Sequence, residues 1–331
     1  MNHNHAGSSI LRGVGSYAPA RKLDNLELSQ RVETSDEWIT TRTGIKERRI
    51  AGDSESTSDL AVEASRRAIA DAGLCVEDVD LVIVATITPD MAFPSTACLL
   101  QHKLGIPKVA CFDLEAACSG FLYALDVADG MLSSGRYQCA LVVGAEKLST
   151  IMDWEDRTTC VLFGDGAGAT VLAREGDGAE MLGFQCGADG SNPSLLQQPA
   201  GGSLLPASNE TIESRGHYLK MNGREIFKSA VRVMERAAIE LLERHGIDKN
   251  ELSHVIPHQA NARIVESLSQ RLEIPMERFY CNLHKYGNTS AASIPLALDE
   301  AYKSSTFQKG ELGLLVAFGA GLTWSAALVR F

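Results

Sequence analysis

The chain has 331 residues, 45% of them hydrophobic and 22% charged, with a formal net charge of −11. That length can bury a large core, in two domains or in one domain of two halves, and the composition excludes extended disorder. The acidic balance argues against nucleic acid as the main partner, and no apolar run approaches the ~20 residues that span a bilayer.

In chain order, the amino terminus from Met1 to Ser9 has neither a basic stretch nor an apolar core, so no secretory signal is expected. His3 and His5 read as part of a frayed, solvated tail rather than as metal ligands. An amphipathic helix is expected over 60–71, closed by Gly73, and a strand at Leu81-Val82-Ile83-Val84. Apolar strands follow over 109–114 and 139–144. Arg174-Glu175-Gly176-Asp177-Gly178 reads as a turn-rich link, dividing the chain into halves 1–176 and 177–331. Residues 187–216, rich in Gly, Ser, Pro and Asn, read as a loop excursion that borders a site. A second amphipathic helix over 226–244 ends at Gly246, and further strands lie over 253–256 and 312–318.

These elements repeat. Gly73 and Gly246 each close a helix, Val82 and Val255 each sit in the strand that follows, and both 246 − 73 and 255 − 82 give 173. Phe163-Gly164-Asp165-Gly166 and Phe318-Gly319-Ala320-Gly321 form a second echo, each leading into an apolar strand. Apolar strands alternating with helices predict an α/β fold with sheets covered on both faces.

Three side chains stand at the strand-to-helix junctions. Cys118, in Glu115-Ala116-Ala117-Cys118-Ser119-Gly120-Phe121, has small neighbours that leave the sulfur open to a substrate. A helix starting at the cysteine aims unpaired N–H groups at it and favours a nucleophilic thiolate. A buried cysteine acting as a small hydrophobe is the plainer alternative. His258, in Pro257-His258-Gln259-Ala260-Asn261, sits at a strand's carboxyl end, where α/β folds place their sites. Asn288, in Tyr286-Gly287-Asn288-Thr289-Ser290, precedes a helix over 291–303. Alone, the histidine reads as structural and the asparagine as an N-cap. Together, at matching points of a duplicated fold, they point to one site. The eight cysteines (Cys75, Cys98, Cys111, Cys118, Cys139, Cys160, Cys186, Cys281) are scattered without a C-x-x-C pair, which disfavours zinc and disulfide scaffolds and fits a reducing cytosol.

The three motifs resemble those of the β-ketoacyl-acyl-carrier-protein synthase III family, which starts type II fatty-acid synthesis. The resemblance runs from about Ser9 to Phe331 and includes Trp38-Ile39-Thr40-Thr41-Arg42-Thr43-Gly44-Ile45 and Trp324-Ser325-Ala326-Ala327-Leu328-Val329-Arg330-Phe331. Asn288, where chain-elongating enzymes carry a second histidine, selects the initiating branch. The resemblance implies a thiolase-like fold, duplicated halves in five layers α-β-α-β-α. It also implies a cytoplasmic homodimer with no metal and no bound cofactor. Cys118 would take an acyl group from a short acyl-CoA, acetyl-CoA first among them, and malonyl-acyl-carrier protein would lose carbon dioxide and attack it. His258 Nε2 and the Asn288 amide would stabilise the enolate, which a neutral histidine does best. Backbone N–H groups of Cys118 and Ala320 would form the oxyanion hole. Trp38 and Arg157 would sandwich the adenine of CoA, with Arg42 near its phosphates and Asn261 also contacting it. Phe93 would limit the acyl pocket to short starters. Arg224, Lys228 and Arg263 would dock the acidic carrier protein.

Other readings are weaker on the residues. A papain-like hydrolase also orders Cys, His and Asn, with 258 − 118 = 140, but its local signature is missing around Cys118. Gly164-Asp165-Gly166-Ala167-Gly168 lacks the G-x-G-x-x-G spacing of a dinucleotide site. An idle carrier-protein-binding homologue would have no need of all three polar side chains. A starter-unit synthase of a polyketide or quinolone pathway keeps the same three on the same fold, and the volume of the acyl pocket discriminates it.

Overall fold

The computed structural model describes residues 8–331, so the tail carrying His3 and His5 lies outside the described residues. Among these, nine strands share one sheet. Their order is Leu252–Pro257, Leu312–Gly319, Thr323–Arg330, Ala179–Ala188, Ile10–Tyr17, Gly166–Ala173, Cys139–Glu146, Leu81–Ala85 and Ala110–Leu114. The first four come from the second half of the chain and the other five from the first. Between the two sets only Ile10 pairs with Glu180 and Leu11 with Ala179. Leu81–Ala85 runs parallel to both its neighbours, and Leu252–Pro257 runs parallel to Leu312–Gly319.

Side-chain alternation along the strands builds the layers. Leu81, Ile83 and Ala85 face a core shared with Leu315 and Ala317 and with the helices Gly120–Ser133 and Ser293–Lys303. Val82 and Val84 point the other way, against helices Thr57–Asp71 and Thr96–Leu104. In the second half, Leu314 and Val316 pack on helices Gly223–His245 and Ala262–Leu272. Helices therefore cover both outer faces and fill the middle, giving the five layers expected. Strands buried on both faces explain why Cys139–Glu146 is apolar for nearly its whole length.

The repeat is carried into the backbone. Gly73 and Gly246 adopt left-handed φ values of 65° and 64° at the ends of their helices, a conformation that favours glycine. Strands Cys139–Glu146 and Leu312–Gly319 differ by 173 at both ends, since 312 − 139 and 319 − 146 are equal. The two central helices start at Gly120 and Ser293, again 293 − 120 = 173. The residues 174–178 form a turn between strands Gly166–Ala173 and Ala179–Ala188. The excursion at 187–216 holds a short helix, Asn209–Glu213, and a two-residue strand, Leu196–Gln197, paired with Lys220–Met221. No helix among the described residues is long and apolar enough to cross a membrane.

One buried cation braces the site from below. Arg48 is fully buried and donates to Leu23 O, Asn25 Oδ1 and Val161 O at 3.0, 2.8 and 2.7 Å. It thereby ties the antiparallel pair Arg21–Asp24/Glu47–Ile50 to the segment against which Asn288 docks through Asn288 N to Leu162 O (2.8 Å).

Candidate active site

Cys118 follows the strand Ala110–Leu114 and lies in a single tight turn, Ala117–Ser119, ahead of helix Gly120–Ser133. Ala117 turns the chain with a left-handed φ of 47°, and Glu115 Oε1 accepts from its N–H at 3.0 Å. Across the turn, Thr323 Oγ1 lies 2.8 Å from Ala116 O and 3.1 Å from Ala320 O, pinning the two loops together. Gly319 is required here by close approach, because a Cβ on it would stand 2.7 Å from Cys118 N and 2.9 Å from Thr323 Oγ1. Gly319→Ala should therefore push the Cys118 turn out of place. A loss of roughly 1–3 kcal/mol in stability is expected, with acylation of Cys118 falling more than about tenfold. Thermal melts and the rate of acyl-adduct formation check this together.

His258 stands just past the strand Leu252–Pro257, its backbone N–H held by Val316 O at 2.8 Å. Its Nδ1 lies 2.6 Å from Ser293 Oγ, and Gln259 N–H donates to that same oxygen at 3.4 Å. Ser293 Oγ can accept from Gln259 and donate its own proton to Nδ1, the arrangement that places the ring proton on Nε2. Burial holds the His258 pKa down to about 3, so the ring is neutral at physiological pH. Asn288 is oriented in a similar way. Its Oδ1 accepts from Ser290 N at 2.8 Å, leaving the amide nitrogen to donate.

Cys118, His258 and Asn288 line one cavity of about 120 Å³, closed by Phe318 and Gly319. Cys118 also lines a larger cavity of about 600 Å³, with Ser290, Ala320 and Leu196. The thiol thus sits where two spaces meet. Its protonation departs from the sequence expectation of a thiolate. Burial pushes the Cys118 thiol up to about 12, and the nearby Ser290 hydroxyl pulls down only part of that rise. Enclosing the sulfur at 7% exposure costs its charged form more than the turn returns, so the resting group is a neutral thiol.

The remaining expected residues divide. Arg42 and Arg157 both lie over the Trp38 ring, at 4.7 and 5.5 Å from its centroid, so the three do meet. The Arg157 guanidinium rests on the indole itself and donates to Glu33 O at 2.7 Å, so it must lift away before a base can stack between them. Asn261 lines the small cavity and caps helix Ala262–Leu272, its Oδ1 accepting from Arg263 N at 2.9 Å. Arg224 and Lys228 lie on the opening turns of helix Gly223–His245, and Arg263 covers Phe227, a lining residue of the small cavity. Lys228 pairs with Glu225 at 2.9 Å, which offsets part of the basic patch. Phe93 is 85% exposed and does not line the cavity of its own chain, where Pro89 and Ala92 stand instead. Among the described residues no cluster of three or more His, Cys, Asp or Glu side chains could hold a metal.

Sequence reasoning missed the roles of Ser293 behind His258 and Ser290 beside Cys118, and named Gly319 only within the Phe318-Gly319-Ala320-Gly321 echo, not for its close approach to the Cys118 turn. The 173-residue offset carried a signal for one of them, because it maps Ala117 onto Ser290. Both adopt left-handed φ, 47° and 49°.

Two family models match the chain. The description 3-oxoacyl-[acyl-carrier-protein] synthase III covers residues 112–190, and its C-terminal counterpart covers 242–331. A β-ketoacyl-[acyl-carrier-protein] synthase III of Caldanaerobacter subterraneus is 54% identical over 319 residues, 96% of each chain. The chain belongs to the β-ketoacyl-acyl-carrier-protein synthase III family. It is accordingly an acyltransferase of the condensing type, the enzyme that initiates fatty-acid synthesis. The synthase III of Aquifex aeolicus VF5, a crystal structure, is 50% identical with a TM-score of 0.90, matching 98% of this chain and all of that one. The priming β-ketosynthase of the R1128 polyketide pathway is 37% identical with a TM-score of 0.90, over 98% and 96% of the two chains. That likeness shows how closely the starter-unit synthases share this synthase III architecture.

Proposed function

We propose that this synthase III loads a short acyl group from acyl-CoA, acetyl-CoA first among them, onto Cys118 and condenses it with malonyl-acyl-carrier protein. The observation that carries the reading is the donor pair beside the thiol: a neutral His258 with its proton on Nε2, and an Asn288 amide free to donate. In the first stage the sulfur attacks the thioester carbonyl, and CoA leaves with the electron pair of its C–S bond. Backbone N–H groups of Cys118 and Ala320 serve the tetrahedral oxyanion. In the second stage malonyl thioester loses carbon dioxide, and the enolate oxygen takes hydrogen bonds from His258 and Asn288. The carbanion then attacks the acyl-cysteine, and the cysteine sulfur leaves.

The CoA moiety is assigned to Trp38, Arg42, Arg157 and Asn261, and the acidic carrier protein to the rim carrying Arg224, Lys228 and Arg263. The two halves of the reading are 1–176, supplying the nucleophile, and 177–331, supplying the donors. The enzyme is read as a cytoplasmic homodimer without a resident cofactor or metal. Dimerisation also gives Phe93 a role, since a ring so exposed and so close in sequence to Pro89 and Ala92 is suited to close a partner's acyl cavity. Phe93→Ala should then shift loading toward longer acyl groups by about tenfold, read as competition between acetyl- and hexanoyl-CoA. A second reading, a starter-unit synthase of a secondary pathway, is favoured by the roomy 600 Å³ cavity beside Cys118.

Intact-protein mass spectrometry after incubation with a panel of acyl-CoAs tests the proposal. An adduct from a short acyl-CoA supports initiation, and its mass names the starter. An adduct only from aromatic or long acyl groups favours the second reading. No adduct from any acyl-CoA overturns CoA-primed loading.

A further inference from the structure

The neutral thiol raises a question that the donor pair does not answer: where the Cys118 proton goes when the sulfur attacks. With Ser293 donating to Nδ1 and the ring proton on Nε2, His258 has no free site for it. Among the charged groups of this half, Asp113, which lines the larger cavity, accepts from Thr96 N and Ala97 N. Asp165 is held by Ala51 N, Ser149 N and Ser149 Oγ, and Lys147 Nζ by Gly52 O and Glu55 O. Glu115 is exposed, with Oε1 on Ala117 N.

Glu146 differs from all of these. It ends the strand Cys139–Glu146 and is fully buried with no cation paired to it. Its Oε2 is well supplied, accepting from Thr88 Oγ1 (2.6 Å), Thr86 Oγ1 (3.1 Å), Ile87 N (3.1 Å) and Thr88 N (3.2 Å). Its Oε1 receives only Ile87 N at 3.3 Å, so a lone pair stays available. Ser290 stands on the same side as both groups: it lines the 600 Å³ cavity together with Cys118 and with Thr86 and Ile87, which hold Glu146. The serine is 1% exposed and its hydroxyl has no hydrogen-bond partner.

The pseudo-symmetry explains the placement. Gly319 and Glu146 are equivalent strand ends, and each strand packs on the left-handed turn of the opposite half: Gly319 meets the Ala117–Cys118 turn, and on Cys139–Glu146 a Cβ on Gly144 would stand 2.3 Å from Ala291 O, next to Ser290. Where one strand end supplies a bare backbone, the other supplies a carboxyl.

We infer that Ser290 and Glu146 form a proton relay that activates Cys118 in the loading step, a role that rests on the acyl-CoA loading proposed above. As the C–S bond to the acyl carbon forms, the thiol proton passes to Ser290 Oγ and the serine's own proton to Glu146. CoA departs as the thiolate with the electrons of its C–S bond. The proton then returns from Glu146 through Ser290 to that thiolate, and the carboxylate is restored. Burial raises the Glu146 carboxyl to about 7, which matches a group that accepts and returns a proton at neutral pH.

The test is the rate of acetyl-adduct formation from acetyl-CoA, by rapid quench and intact mass, from pH 5.5 to 9.5, on wild type, Glu146→Gln and Ser290→Ala. Wild type should accelerate through about pH 7 and then level off. Both variants should load about a hundredfold more slowly at pH 7 and lose that inflection, rising with pH throughout. Ser290→Ala removes a hydroxyl with no aligned partner, so it keeps the test alive if Glu146→Gln melts early. Variants with wild-type rates, or slowed by one constant factor at every pH, overturn the relay and leave Glu146 as a brace for the Thr86–Thr88 loop. An absent wild-type adduct overturns the loading step and the relay with it, whereas a wild-type adduct with unaltered variants overturns the relay alone.

Discussion

Cys118→Ala is expected to give no acyl adduct with any acyl-CoA and to lose condensation by at least roughly ten-thousand-fold. The other seven cysteines cannot stand in. None of Cys111, Cys139, Cys160, Cys186 and Cys281 lines either cavity. Cys75 and Cys98 are exposed on the outer side of the first half. The same variant should still release carbon dioxide from malonyl-acyl-carrier protein, because the enolate donors His258 and Asn288 sit on the second half and hold their geometry through Ser293 and Ser290 N–H. Carbon dioxide release without β-ketoacyl product, measured on the alanine variant, separates the two chemical stages. An adduct that persists in Cys118→Ala would move the nucleophile to another residue.

Much of this arrangement is legible in the sequence, for a physical reason. A doubly covered sheet needs continuous apolar strands, and helices need glycine at a left-handed end. Gly73, Gly246 and the runs at 81–84 and 312–318 therefore print the architecture and its repeat directly. The three polar residues at the junctions were legible because each interrupts a pattern that packing alone would fill with apolar side chains. What stayed hidden depends on distance through space. Ser293 reads as one small residue in a helix, yet its hydroxyl lies 2.6 Å from the Nδ1 of a ring 35 residues away in sequence. The state of Cys118 was misjudged because a sequence shows the helix behind the sulfur but not the walls around it. Desolvation is a property of the closed cavity, and here it decides the charge. Glu146 could have drawn notice as the one acid at the end of an otherwise apolar strand. Ser290, its companion in the proposed relay, comes from the other half of the chain, and only the fold brings the two to one side of the cavity.

His258→Ala separates the stages in the opposite sense. Loading of Cys118 should proceed near the wild-type rate, because the ring donates from Nε2 and takes no proton in that step. Condensation should fall by about a hundred- to a thousandfold, the cost of removing one donor from a developing oxyanion. Asn288→Ala should behave alike, and the double variant should lose less than the product of the two, since both donors serve one oxygen. The pH dependence carries a further check. With the His258 pKa at about 3, the ring stays neutral down to pH 5, so histidine protonation should not limit condensation anywhere from pH 5 to 8. Stability shows the opposite face of the same shift. The folded pKa lies below the unfolded value of about 6.5, so between the two the unfolded chain binds the extra proton and stability falls as pH drops. From pH 7 to 5 this one residue should cost about 2 kcal/mol in wild type and nothing in His258→Ala. Denaturant unfolding of both proteins at the two pH values measures the difference. If both lose stability in parallel, His258 is not held neutral by burial, and a donor role for its Nε2 would have to rest on a charged ring instead.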